Sequence, residues 1–72
     1  MNEDVFVKFG QRLRELRETK GLTQESLALS IDVDKSYIGR IERAERSPNL
    51  KTIVKIANVL EIPVKSLFEF NS

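Results

Sequence analysis

The stretch TQESLALSIDVDKSYIGRIER, residues 23–43, decides the fold of this chain. Its apolar residues recur at helical spacing in two runs, which are Leu27, Ala28 and Ile31, then Ile38 and Ile41. The residues between the runs are too few for anything except a turn. Thr23 and Asp34 each precede a run and can cap it with a side-chain oxygen. The stretch therefore predicts two short helices, at residues 24–31 and 35–43, joined by a tight bend.

The outward face of the second of these helices is polar and basic. Its residues are Lys35, Ser36, Tyr37, Gly39, Arg40 and Arg43. A short helix that is held from behind and offers such groups outward has the shape and chemistry of an element that reads the major groove of DNA. In the bend before it, Asp32 stands where a left-handed backbone is expected, which glycine adopts more easily but aspartate tolerates.

The flanking sequence predicts two longer helices. A first helix is expected at residues 5–20, ended by Gly21, from the apolar stripe Phe6, Phe9, Leu13 and Leu16. A further helix is expected at residues 50–60, where Asn49 can cap it. Its predicted inward residues are Leu50, Ile53, Ile56, Ala57 and Leu60.

A last short helix is expected at residues 64–70, after Pro63 has interrupted the preceding one. Its core candidates are Val64, Leu67 and Phe68. The chain then reads as a single all-α domain of five helices over residues 1–72, with no strand pattern and no repeat.

Composition excludes several classes of function. The 72 residues include no cysteine and no histidine, so the commonest zinc ligands and the commonest general base are missing. We expect no metal, no cofactor and no enzymatic activity. No apolar run approaches membrane-spanning length, and the acidic start Met1-Asn2-Glu3-Asp4 is unlike a signal peptide, which predicts a cytoplasmic protein with no membrane partner.

The distribution of charged residues along the chain is more informative than the net charge. The net charge is +1, and a solvated surface explains that total. Residues 34–55, however, hold six lysines and arginines against three acids. This local excess lies on and after the proposed groove-reading helix, where nucleic-acid binding would place it. A count of charges alone favours the alternative, a solvated charged surface.

Seven short motifs stand in a fixed order within residues 9–68. They are LRELR at 13–17, GLTQE at 21–25, LA at 27–28, SYIGRIER at 36–43, SPNL at 47–50, IANVLEIP at 56–63 and SLF at 66–68. The ordered set resembles the phage-repressor/Cro-type (Xre-type) helix-turn-helix family. The resemblance implies a lambda-repressor-like DNA-binding domain, with the helix-turn-helix at helices 2 and 3. Asp32 departs from the glycine that the family often has in the turn.

The resemblance also implies roles for individual residues. Base contacts are expected from Lys35, Ser36 and Arg40, and Gly39 is expected as a point of close approach. Gln24 is expected to contact phosphate and to brace the groove-reading helix. Tyr37 can bond a phosphate, or its ring can pack at the helix edge. Further phosphate-contact candidates are Arg43, Ser47, Asn49 and Lys51.

The family pairs an arginine of the first helix with a glutamate of the third, which here are Arg17 and Glu42. The pair is expected to be structural and to fix the angle of the third helix. The alternative is two exposed, unpaired charges.

The resemblance points to a transcriptional regulator that binds a double-stranded, palindromic operator as a homodimer and acts by occupying it or by touching RNA polymerase. The compact length is similar to that of restriction-modification controller proteins. Interface candidates are the surplus apolar residues Val59, Phe68 and Phe70, although Phe68 is the more natural core residue of the two aromatics.

A second hypothesis is a protein-interaction or antitoxin-like module in which the outer face of residues 35–43 binds protein. Three cations on that face, with no acid beside them except the inward Glu42, favour phosphate over a protein partner.

Overall fold

The computed structural model describes residues 2–70, with side chains from residue 5 onward, and it contains four α-helices and one 3₁₀ helix. They are α1 (Asn2–Thr19), α2 (Gln24–Ser30), α3 (Lys35–Glu42), α4 (Leu50–Leu60) and the 3₁₀ helix (Val64–Phe68). No strand occurs in this range. Across the same residues, none of the helices has the length and apolar character to cross a membrane.

The boundaries of the helix-turn-helix follow the sequence prediction to within one residue. Thr23 caps α2 in a capping box, since its side chain accepts the N–H of Ser26 and the Ser26 hydroxyl accepts the N–H of Thr23. Asp32 has the expected left-handed backbone, with φ of 61°. Asp34 does not cap α3 with its side chain, contrary to the prediction. The bend is therefore closed by the backbone, through Val33 N–H to Ala28 O at 3.0 Å.

The predicted fifth α-helix at residues 64–70 is wrong in type and length. The segment is a five-residue 3₁₀ helix, whose i to i+3 pattern begins with Ser66 N–H bonded to Pro63 O at 3.0 Å. So short a segment closes too few α-type bonds to favour the wider helix. Arg12 holds it against α1 by donating from Nε to Ser66 O at 2.9 Å.

A single core lies between the helices. Its buried members are Phe9, Leu13, Leu27, Ala28, Ile31, Ile38, Ile41, Ile56, Ala57, Leu60 and Leu67. On α1 and α4, two residues predicted to face inward do not: Phe6 is 43% exposed and Leu50 is 70% exposed. Both lie at the beginning of their helices, and residues 5–8 of α1 are exposed on every side, so this end of α1 extends past the core. Helical periodicity predicts which face of a helix points toward the core, but not where along the helix the core contacts begin.

Gly10 sets the distance between α1 and α3, a role that the sequence analysis missed. A Cβ at this position would lie 2.6 Å from the carbonyl oxygens of both Ile41 and Glu42. These are backbone atoms at the end of α3, so no side-chain rotation could relieve the clash. The last turn of α3 rests directly on the α1 backbone.

We expect Gly10→Ala to lower the free energy of unfolding by about 1–3 kcal/mol, although alanine favours helices, because the two helices must separate. Urea denaturation measures the change. Gln11→Ala, on the exposed side of α1, is the control and should leave stability within about 0.5 kcal/mol of the parent. Equal stability of the parent and Gly10→Ala would show that the close packing of α1 on α3 is not a constraint.

Candidate nucleic-acid interface

The helix α3 is buried along one side and exposed along the other. Ile38 and Ile41 are 0% and 1% exposed and pack against α1 and α2. Lys35, Ser36 and Arg40 are exposed. The three predicted base-contact residues thus share the solvent side of a helix that the core holds from behind.

A buried ion pair fixes the end of α3 to α1. Arg17 Nε donates to Glu42 Oε2 at 2.6 Å, and Nη2 donates to Glu42 Oε1 at 3.2 Å. The two side chains are 8% and 3% exposed. Arg17 Nη1 donates further to Leu22 O at 2.7 Å. The hydrogen bond to Glu42 raises the pKa of Arg17. The expected pair is present, and it is bidentate.

Gln24 completes this network. Its Nε2 donates to Glu42 Oε1 at 2.9 Å. The Glu42 carboxylate therefore accepts hydrogen bonds both from α1 and from the first residue of α2. The bracing role expected of Gln24 has a direct geometric basis. Gln24 also lines a cleft of ≈ 620 Å³ between the start of α2 and α3.

Ser36 is less free than the sequence suggested. Its hydroxyl donates to the Asp34 carboxylate, which lowers the pKa of Asp34. The oxygen of Ser36 keeps its capacity to accept a bond from a base edge. Lys35 and Arg40, in contrast, have no side-chain hydrogen bond or ion pair to the described residues.

Arg43 is paired with Glu45, an interaction that the sequence analysis did not predict. Its Nε and Nη2 donate to the two carboxylate oxygens of Glu45, at 3.1 and 3.3 Å. This pairing raises the pKa of Arg43 and lowers that of Glu45. With Asp34 and Glu45 beside α3, the expectation that Glu42 is the only acid beside these cations is wrong. The face remains cationic, since Lys35, Arg40 and Arg43 outnumber them.

For Tyr37 the structure shows ring packing, one of the two roles that the sequence left open, and the phosphate contact stays a prediction. Its half-buried ring packs against the core, and the guanidinium of Arg46 lies 5.3 Å from the ring centroid. The two residues line a second cleft on the opposite side of α3, together with Arg40 and Thr52. Arg46 was not among the predicted site residues. An arginine just after the helix, within reach of an aromatic ring, was the available signal.

The loop before α4 presents the remaining phosphate candidates. Ser47, Asn49 and Lys51 are all exposed. Asn49 caps α4 as predicted, because its Oδ1 accepts the N–H of Thr52 at 2.8 Å. Its side-chain NH₂ group is left to contact a ligand.

The apolar residues predicted for an interface are placed unevenly. Val59 and Phe70 are half-buried against the core, whereas Phe68 is 42% exposed. The expectation that Phe68 is the core residue and Phe70 the free one is therefore reversed. The Phe68 ring is tilted against those of Phe9 and Phe70, at centroid distances of 5.2 and 6.3 Å. On α4, Leu50 and Val54 are also exposed.

The described residues contain no group of three or more His, Cys, Asp or Glu side chains arranged to hold a metal ion. The chemistry that this surface offers is hydrogen-bond donation and positive charge.

We expect Glu42→Ala to lower the free energy of unfolding by about 3 kcal/mol, because it strands the Arg17 guanidinium inside the protein. Glu45→Ala breaks an exposed bidentate pair and is the matched control, with a melting temperature close to that of the parent. Thermal melting of both variants measures the difference. Unchanged melting of Glu42→Ala would refute the structural role of the pair.

Comparisons with known proteins agree with this geometry. A family model described as "Helix-turn-helix" matches residues 13–67. The crystal structure of the restriction-modification controller protein C.AhdI from Aeromonas hydrophila superposes with a TM-score of 0.85 at 52% identity, covering 88% of this chain and 96% of that one.

Two curated relatives are also controller proteins and have nearly the same length. Control protein C.BamHI of Bacillus amyloliquefaciens is 36% identical over 73 residues, covering 100% of this chain and 90% of the relative. Control protein C.MunI of a Mycoplasma species is 39% identical over 66 residues, covering 90% and 89%. The chain belongs to the helix-turn-helix family.

Proposed function

We propose that this protein is a sequence-specific DNA-binding regulator of transcription, and that it serves as the controller protein of a restriction-modification system. The observation that carries the proposal is the cationic outer face of α3, held at a fixed angle by the buried Arg17–Glu42–Gln24 network. The likeness to C.AhdI and C.BamHI over nearly whole chains supports the narrower assignment.

The side chains of this surface divide into two roles. Lys35, Ser36 and Arg40 face outward along α3 and reach base edges in the major groove, where Arg40 can donate two bonds to a guanine. The residues that bind phosphate surround them on both sides and are Gln24, Tyr37, Arg43, Arg46, Ser47, Asn49 and Lys51. Phosphate contacts on both sides of the helix set its depth and register.

One copy of the domain reads little DNA. An eight-residue α3 is about 12 Å long, and the whole domain measures 31 × 22 × 21 Å. A homodimer on a palindrome places two such helices about 34–36 Å apart, one helical turn of DNA. The exposed apolar residues Phe68, Leu50 and Val54 are the candidates for the self-complementary surface that this arrangement needs.

The protein-partner alternative has no comparable support, because α3 is flanked by exposed cations on both sides rather than by an apolar groove. A contact with RNA polymerase stays a prediction, as does location in the cytoplasm, where a prokaryotic regulator meets its DNA.

The proposal is tested by selecting bound sites from random double-stranded DNA with purified protein. We expect a palindrome whose half-sites lie one helical turn apart, a dimer mass for the complex, and affinity that falls steeply with salt. Recovery of unenriched sequences, or binding that ignores salt, would favour a protein partner instead.

Within the selected operator, we expect Arg40→Ala to cost about 1–3 kcal/mol of binding free energy and to relax the preference at one base position per half-site. Lys51→Ala is the control and should weaken binding evenly across operator variants. Fluorescence anisotropy against a panel of single-base substitutions measures both. An equal loss on every sequence would make Arg40 a phosphate contact.

A further inference from the structure

We propose that Gly39 is a positioning residue, which lets the Arg43 guanidinium lie across α3 as a clamp for one DNA phosphate. This inference rests on the proposed function and names a residue that acts without touching DNA itself. It starts from an unusual feature of α3: the middle of its outer surface has no side chain, yet Gly39 is buried.

Side chains from two directions cover Gly39. A Cβ built on it would lie 3.0 Å from Arg43 Nη1 and 3.3 Å from Gln24 Oε1. Its φ is not in the left-handed region, so the backbone does not require glycine here. Glycine is required by the position of the Arg43 guanidinium. This group lies against the helix backbone at Gly39, where any larger side chain would displace it.

The donors of Arg43 show which edge is available. Glu45 occupies Nε and one hydrogen of Nη2, the lateral edge of the guanidinium. Nη1 and the second hydrogen of Nη2 remain, and together they form the terminal edge, which matches two oxygens of a phosphate. Glu45 and Gly39 thus orient the terminal edge of the Arg43 guanidinium from opposite sides.

The location of this donor edge favours a phosphate over a base. Arg43 lies back along α3 and lines the cleft shared with Thr23, Gln24 and Lys35, between α3 and the start of α2. A base reader must project from the outer ridge of the helix, as Arg40 does. The donor edge of Arg43 lies in a cleft beside Lys35, a second cation. This position suits a DNA phosphate at the edge of the major groove.

Stability and binding should therefore respond to Gly39→Ala in opposite directions. Alanine is the better helix former, and its Cβ meets the flexible end of Arg43, which can move aside. Gln24 Oε1 lies 3.3 Å away and needs to shift only slightly, so the Gln24 Nε2 bond to Glu42 need not break. We expect the melting temperature to rise by about 4–8 °C. We expect operator affinity to fall about tenfold per subunit, as for one lost charge-assisted contact, and the salt slope to decrease by about one.

A double-mutant cycle with Arg43→Ala tests the inference on the full chain. In the Arg43→Ala background, Gly39→Ala should cause no further loss of affinity, and the loss should be equal on all operator variants. Asn58→Ala, at an exposed position of α4, is the control for improved helix propensity and should leave binding unchanged.

Three outcomes would overturn the inference. Parent-like affinity of Gly39→Ala would show that the position of Arg43 does not matter. An undiminished loss in the Arg43→Ala background would mean that DNA itself approaches Gly39. A loss confined to one base pair would make Arg43 a base reader. Failure of the parent protein to bind any DNA would instead reject the proposed function, which separates the two failures.

Discussion

The Glu42 carboxylate is the point on which the placement of α3 depends. It accepts two donors from Arg17 and one from Gln24, so three helices meet at one buried charge. A carboxylate withdrawn from water is stabilised in this way only when its donors are complete. The packing of α1, α2 and α3 that completes these bonds therefore also fixes the orientation of α3. A misplaced groove-reading helix would leave a buried charge partly unpaired.

Two of the arginine–glutamate pairs are both bidentate but have different consequences. Arg17–Glu42 is buried and bidentate, and it positions backbone elements. Arg43–Glu45 is bidentate as well, but its side chains are 58% and 54% exposed, so solvent screens it and it can yield to a ligand. Because the folded-state pKa of Glu45 is lowered, the pair is complete above the ordinary glutamate pKa and weakens as acid protonates Glu45. Burial, rather than the residue types, separates a structural pair from an exchangeable one.

The features that could be predicted from the sequence are those that depend on short-range residue patterns. The ends of α2, α3 and α4, the caps at Thr23 and Asn49, and the left-handed Asp32 all follow from spacing and short-range hydrogen bonding. The Arg17–Glu42 pair came from a family resemblance, since its partners are 25 residues apart. The contact of Gly10 with α3 had no local signal, because it depends on where two distant backbones meet. The exposure of Leu50 was missed for the same reason.

The two helical glycines show how the domain separates folding from recognition. At Gly10 the neighbours of a would-be Cβ are backbone carbonyls, so a side chain would move a helix. At Gly39 the neighbours are the side-chain ends of Arg43 and Gln24, so a side chain would displace other side chains rather than a helix. Backbone contacts and buried charge thus fix where α3 lies, and exposed side chains fix what it binds. Under the proposed function, such a surface would change its DNA target by substitution at Lys35, Ser36 or Arg40 without changing the core that positions α3.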